Sequence, residues 1–240
     1  MKVDVFIPCF IDQFYPETAF NFIRLLERAG CTVNYNPEQT CCGQPSFNSG
    51  YWKETKTLAV KFLNDFENAG IIVAPSASCT GFIKNYYRKV FADDKVLLEK
   101  TNQLAPRIFE FSDFFVNHIK KLEFGSVFNH KVTFHDSCAG LREYGIKREP
   151  RILLQNVSGL ELVEMEKLET CCGFGGTFSA KFHSVSTAMT EQKVEHAMKT
   201  GAEYIVSTEA SCLMNIEAYI RKQKLPIKTI HLVDILASGL

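Results

Sequence analysis

Short apolar and β-branched runs recur along the chain, with amphipathic stretches between them. Val3–Pro8, Ile71–Pro75, Val132–His135 and Tyr204–Ser207 are of buried-strand type, and Thr32–Tyr35 and Leu160–Val163 read as two further strands. Helical patterns occupy Glu17–Ala29, Trp52–Asn68, Glu149–Gln155, Ala180–Lys199 and Leu213–Lys222, and Gly30 supplies a stop after the first of them. Strand–helix alternation through both halves predicts α/β units with mostly parallel sheets. The polar stretch Lys120–Lys131 reads as the join, dividing the chain near Gly125 into residues 1–124 and 125–240. The expectation is two Rossmann-like α/β domains related by a pseudo-two-fold axis.

Composition narrows the possibilities. A 46% hydrophobic and 22% charged chain buries a core in the ordinary way, which excludes a disordered tail, a collagen-like rod and a coiled coil. Twenty-seven basic and 27 acidic residues cancel, so no global field draws the chain to nucleic acid or anionic lipid. No apolar run approaches the ~18 residues of a membrane helix. The opening MKVDVFIPC, broken by Asp4, holds no signal-peptide core. A cytoplasmic chain is therefore expected, and in that reducing compartment structural disulfides are rare. Its nine cysteines ask to be read as ligands or redox groups.

The cysteines repeat. Cys41-Cys42-Gly43 and Cys171-Cys172-Gly173 are the same tripeptide, 130 residues apart. Cys9 precedes the first pair with 31 residues between, and Cys138 precedes the second with 32. Cys79 follows after 36 residues and Cys212 after 39, in the matching contexts SASC and EASC. Each half closes on a similar phrase, PRIFEFSDFF from Pro106 and PIKTIHLVDIL from Pro226. Cys31 alone stands outside the repeat, as a buried unreactive thiol would.

Cys9, Cys79, Cys138 and Cys212 each come just after a predicted strand, where the loops of an open parallel sheet build its binding crevice. Each Cys-Cys-Gly lies between a strand and a long helix. A glycine there permits positive φ, and a nearby helix N-terminus favours thiolate over thiol. Each half is expected to gather four sulfurs from three loops: Cys9, Cys41, Cys42 and Cys79, then Cys138, Cys171, Cys172 and Cys212. Four thiolates suit zinc or an iron–sulfur cluster. Zinc sites draw paired ligands from C-x₂₋₄-C knuckles, which this chain lacks. Adjacent cysteines aim poorly at one small ion and better at different irons of a cluster, so the cluster is favoured while zinc stays open.

On these residues the chain resembles the cysteine-rich CCG-domain family. That domain pair occurs in heterodisulfide reductase, in the glycolate oxidase iron–sulfur subunit and in the lactate utilisation proteins. The segments CCGQP, NSGY, SCT, CCGFGGTFS and SCLMN, with no attached ferredoxin segment, are most similar to the last group, and the likeness runs from about Val3 to Leu236. The resemblance implies a cytosolic iron–sulfur protein acting with a ferredoxin-type subunit and a third protein to oxidise L-lactate to pyruvate. The reductase carries a further cysteine three residues after the last in each half; here those places hold Phe82 and Asn215. Four thiolates per half then imply one [4Fe–4S] cluster each, and an electron carrier in preference to a cluster-based disulfide reductase. A zinc-stabilised interaction module is the second alternative.

Other features carry less. His135 lies three residues before Cys138, within reach of the second pocket as a ligand or as a donor to sulfur; a satisfied strand-end histidine is the simpler reading. Gly173, Gly175 and Gly176 lack the Lys-Ser/Thr of a phosphate loop. Twenty phenylalanines are core filler first. No Ser-His-Asp set, carboxylate pair or flavin motif is legible, so the chain reads as a subunit of an oxidoreductase complex without its own means of abstracting hydride.

Overall fold

The computed structural model describes residues 1–239. It contains two four-stranded parallel sheets. In the first, β1 (Lys2–Val5), β2 (Thr32–Tyr35), β3 (Ile72–Ala74) and β4 (Ile108–Glu110) lie in the order β2-β1-β3-β4. In the second, β5 (Lys131–Phe134), β6 (Glu161–Leu162), β7 (Tyr204–Ser207) and β8 (Lys228–His231) lie in the order β6-β5-β7-β8. The two orders are the same, so the pseudo-symmetric pair of parallel-sheet α/β domains stands as expected. No helix among the described residues is long and apolar enough to cross a membrane.

Strand order decides where a ligand can sit. The chain leaves β1 towards β2 on one side and returns to place β3 on the other, so the crossovers diverge at the carboxyl ends of β1 and β3. That divergence is the crevice of an open parallel sheet. The same crevice opens between β5 and β7.

The largest core spans both halves: Val3, Val5, Phe22 and Leu25 pack in one cluster with Val132, Phe134, Leu153 and Leu232. Helices Pro16–Arg28 and Leu232–Leu236 meet at this seam, as do Glu149–Gln155 and the helical segment Phe111–His118. Two smaller cores lie outside the seam, one under Trp52–Asp65 and Ala77–Val90, the other under His183–Met198 and Ala210–Gln223. Each sheet is thus covered on both faces, and β3 is buried throughout.

Several elements differ from the sequence pattern. The strand expected over Val3–Pro8 ends at Val5, and the pattern over Ala180–Lys199 divides at Phe182 into Thr177–Lys181 and His183–Met198. The closing phrases of the halves contain β4 and β8, edge strands that the apolar pattern does not single out because polar residues interrupt it. Helix Ala77–Val90 has no counterpart in the pattern because Gly81 and several aromatic and β-branched residues weaken its propensity. Gly81 is there for space. A Cβ at that position would stand 3.2 Å from the Tyr144 nitrogen and 3.3 Å from Glu143 Cβ, in the wide helical turn Gly140–Tyr144 of the other half.

Candidate metal centre

Each cysteine is placed by a chain feature visible locally. Cys9 opens the helix Cys9–Phe14 directly after Pro8, and Cys79 lies in the first turn of Ala77–Val90, whose N-cap Ser76 accepts the Cys79 N–H. Cys138 enters the turn after β5, and Cys212 lies in the first turn of Ala210–Gln223. Both Cys-Cys pairs sit in loops that end in a glycine at φ +90°, Gly43 and Gly173. At Gly173 a Cβ would stand 2.5 Å from the Ser186 carbonyl oxygen, so the loop is closed to any other residue.

The loops bring the sulfurs together. Cys9 Sγ lies 3.9 Å from Cys41 Sγ, and Cys42 Sγ lies 3.4 Å from Cys79 Sγ. In the second half the Cys172 and Cys212 sulfurs lie within 4.8 Å of each other, and Cys138 and Cys171 line the same cavity. Cys42 and Cys172 are each 2% exposed, whereas Cys9, Cys41, Cys138 and Cys171 are half-buried. All nine cysteines are free, and Cys31 lies in the seam core away from both sets.

The electrostatics of the two sets match. The Gly43 N–H donates to Cys41 Sγ and the Gly173 N–H to Cys171 Sγ, both at 3.4 Å. Hydrogen bonds from Cys42 and Cys9, joined by that N–H, draw Cys41 down to about 3; Cys138, Cys172 and the Gly173 N–H draw Cys171 down to about 2. Their neighbours move in the other direction: sharing with the thiolate and burial push Cys9, Cys42, Cys138 and Cys172 up. Four thiols crowded out of water can ionise only one member alone, and a multivalent cation among them lets the others follow. The donor set therefore fits a soft, positively charged metal group.

Only the tertiary arrangement shows that the two sets share one cavity. It has a volume of about 170 Å³ and is lined by all eight repeat cysteines. Phe10 beside Cys9 meets Phe174 beside Gly173 edge to face, ring centres 5.6 Å apart, so the loops of the two halves close on each other. Glu209 crosses from one half to the other, its carboxylate accepting the Ser78 N–H at 2.9 Å.

Residues 3–84 and 132–217 match the family model described as cysteine-rich domain. The chain is 42% identical over 236 residues to lactate utilization protein A of Halalkalibacterium halodurans, covering 98% of this chain and 96% of that protein. The chain belongs to this family. It is also 41% identical over 238 residues to lactate utilization protein A of a Geobacillus species, covering 99% of this chain and all of that protein. Among solved structures, a hypothetical protein from Helicobacter pylori superposes with a TM-score of 0.66 at 12% identity, over all of this chain and 49% of that one. That likeness concerns the fold alone. Both family segments enclose a complete cysteine set, so the family match and the sulfur geometry divide the chain in the same way.

The two places without the further cysteine are filled differently. Phe82 is buried among Phe47, Tyr86 and Tyr87, with ring centres 5.2–5.7 Å away. Asn215 turns its amide to the Cys172 carbonyl at 3.1 Å and to Thr190 Oγ1 at 2.9 Å. Neither supplies a sulfur or stands in for one. Tyr87 O–H holds the Cys42 carbonyl at 2.8 Å, as Thr190 O–H holds that of Cys172.

Sequence reasoning missed the groups that brace the second set. The Lys193 side chain is buried and its ammonium donates to the Lys167 and Leu168 carbonyls at 3.2 and 2.9 Å, in the loop leading to Cys171; burial draws it down to about 8. A lysine three residues after Thr190, on the buried face of its helix, was the available signal. Arg151 is bidentate to Asp136, at 2.9 and 3.0 Å, and also grips Glu164. It clamps the loop between β5 and Cys138. His135 is fully buried, and burial together with the Lys193 charge draws it down to about 3.

Proposed function

We propose that the chain is an iron–sulfur electron carrier in a lactate-utilising system, acting in the cytoplasm with a ferredoxin-type subunit and a third protein in the oxidation of L-lactate to pyruvate. Its halves, taken as residues 1–124 and 125–240, each hold one [4Fe–4S] cluster, the first on Cys9, Cys41, Cys42 and Cys79 and the second on Cys138, Cys171, Cys172 and Cys212. The observation that carries this reading is the convergence of two four-thiol sets on one cavity. The names of the relatives support the lactate system.

Such clusters supply reversible one-electron transfer. The chain's own residues do the rest. Hydrogen bonds from the neighbouring thiols, joined by the backbone N–H groups of Gly43 and Gly173, keep Cys41 and Cys171 ready as thiolates. Phe6 and Phe82 keep water from the first set, and Phe10 and Phe174 narrow the mouth of the cavity between the two. Placing both sets on one cavity gives electrons a short path between halves. The absence of a thiol at Phe82 and Asn215 favours carriage over disulfide reduction.

Anaerobic purification followed by iron and sulfide quantification tests the reading. Brown protein with about eight irons per chain, and a paramagnetic signal on reduction, is the expected result. Colourless protein loaded with zinc would support the interaction module instead. A new paramagnetic signal on adding a disulfide substrate would move the assignment to the reductase.

A further inference from the structure

His135 has no role in a scheme of four thiols per half. Its backbone is held from both sides, the N–H donating to the Val206 carbonyl at 2.8 Å and the carbonyl accepting Ser207 O–H at 3.0 Å. Strand alternation sends Phe134 into the seam core and the His135 ring to the opposite face. There it is fully buried, and neither ring nitrogen has a hydrogen-bond partner among the described residues. Leaving such a group unpaired costs stability, a cost that a ligand can remove. What the ring does face is sulfur: one of its nitrogens and the Cys172 and Cys212 sulfurs all lie within 4.8 Å of one another.

The first half lacks this arrangement. Phe6 stands three residues before Cys9 as His135 stands three before Cys138, and it packs edge to face on Phe62 and Phe66 at 5.0 and 6.0 Å. The repeat is therefore kept in its sulfurs, and at this place a potential ligand stands in one half and a phenylalanine in the other. Thr190 and Asn215 strengthen the case. Both are committed to the Cys172 carbonyl, so the imidazole is the free donor aimed at that pair of sulfurs.

We propose that His135 is a ligand of the metal group held by the second cysteine set, through a ring nitrogen, and so gives that site a fifth protein donor that the first site lacks. The proposal rests on the iron–sulfur reading above. An imidazole added to four thiolates changes the ligand field and net donation at that site, and axial and terminal ligands are among the levers that set a cluster's potential. The two sites are then chemically unlike and differ in potential.

The experiment uses the whole chain, produced and purified without oxygen, as wild type, as wild type labelled with ¹⁵N-histidine, and as His135→Phe, which copies Phe6. Iron is counted, and reduced samples are examined by pulsed paramagnetic resonance. The expected result is a nitrogen coupling in the wild type that changes with the histidine label and is lost in His135→Phe. One of the two midpoint potentials should shift in that variant while the other stays in place. Iron-loaded wild type whose signal is insensitive to the label would overturn the proposal without need of any variant, and so would a coupling that persists in His135→Phe. Wild type that binds no iron would overturn the iron–sulfur reading and this proposal together, so the two failures are told apart by the iron count.

Discussion

Glu209 and Ser78 lie 131 residues apart in sequence, and the Glu209 carboxylate accepts the Ser78 N–H at 2.9 Å. The same carboxylate receives the hydroxyls of Ser76 and Ser211, each at 3.2 Å. It thereby ties the first turn of the Cys79 helix to that of the Cys212 helix. In the repeat, Glu209 takes the place of Ser76, the residue three before the last cysteine in each half. One half thus reaches across to cap the other.

That link should be measurable as stability. Glu209→Ala strands buried donors and should cost about 1–3 kcal/mol in urea unfolding. Glu209→Gln keeps an acceptor oxygen and should cost clearly less. Equal losses in the two variants would show that the carboxylate charge, and not the acceptor geometry, holds the halves together.

The clamp on the second cysteine loop should be more sensitive still. Asp136 is buried, and both its oxygens are held by Arg151. Arg151→Met leaves that carboxylate uncompensated, and breaking such a pair from one side typically costs about 3–5 kcal/mol. Thermal unfolding would check this. A loss below about 1 kcal/mol would mean that water or a rearranged Lys147 replaces the guanidinium.

Glu110 should make stability depend on pH. Its carboxyl is fully buried, and burial pushes it up to about 8 from an ordinary 4.5, although Ser112 and the Ser112 and Asp113 N–H groups oppose the shift. A raised folded value means that the folded state holds the proton more tightly than the unfolded chain. The contribution is fully present below the unfolded value and is lost as pH rises from about 4.5 to about 8. Wild type minus Glu110→Gln, taken from urea unfolding at several pH values, should therefore decline on the order of 2–4 kcal/mol across that window. A flat or rising difference would contradict the assignment.

Cys31 and Cys42 provide a matched pair of substitutions. Both are buried, but Cys31 packs in the seam core and Cys42 faces Cys79. Cys31→Ser should leave the iron content of anaerobic protein unchanged at a modest cost in stability. Cys42→Ser should lose about half the iron, since the second set is untouched. Comparable loss in both variants would mean that the ligand set includes Cys31.

Much of this molecule is written locally. The doubled Cys-Cys-Gly and its flanking cysteines are a repeat in one dimension, and a repeat of strand, loop and cysteine implies a repeat of α/β units whatever their packing. The central strands were legible for the same reason: β1, β3, β5 and β7 each carry buried β-branched or aromatic residues shortly before a cysteine of the repeat. The edge strands β4 and β8 and the helix Ala77–Val90 were not. Polar residues interrupt the apolar pattern of both strands, and the helix carries Gly81 for the sake of a neighbour in the other half.

The site divides along the same line. Which sulfurs group together follows from a parallel sheet and its loop positions, because the carboxyl ends of adjacent strands must lie side by side. Three relationships do not follow from sequence spacing. Both sets share one cavity, Glu209 reaches the opposite helix, and the His135 ring, unpaired, faces Cys172 and Cys212. Each depends on how the halves dock or on which way one buried side chain points. Sequence spacing constrains neighbours along the chain and across a sheet, whereas the docking of two domains is settled by the shapes of their faces, here the apolar seam around Phe22, Phe134 and Leu232.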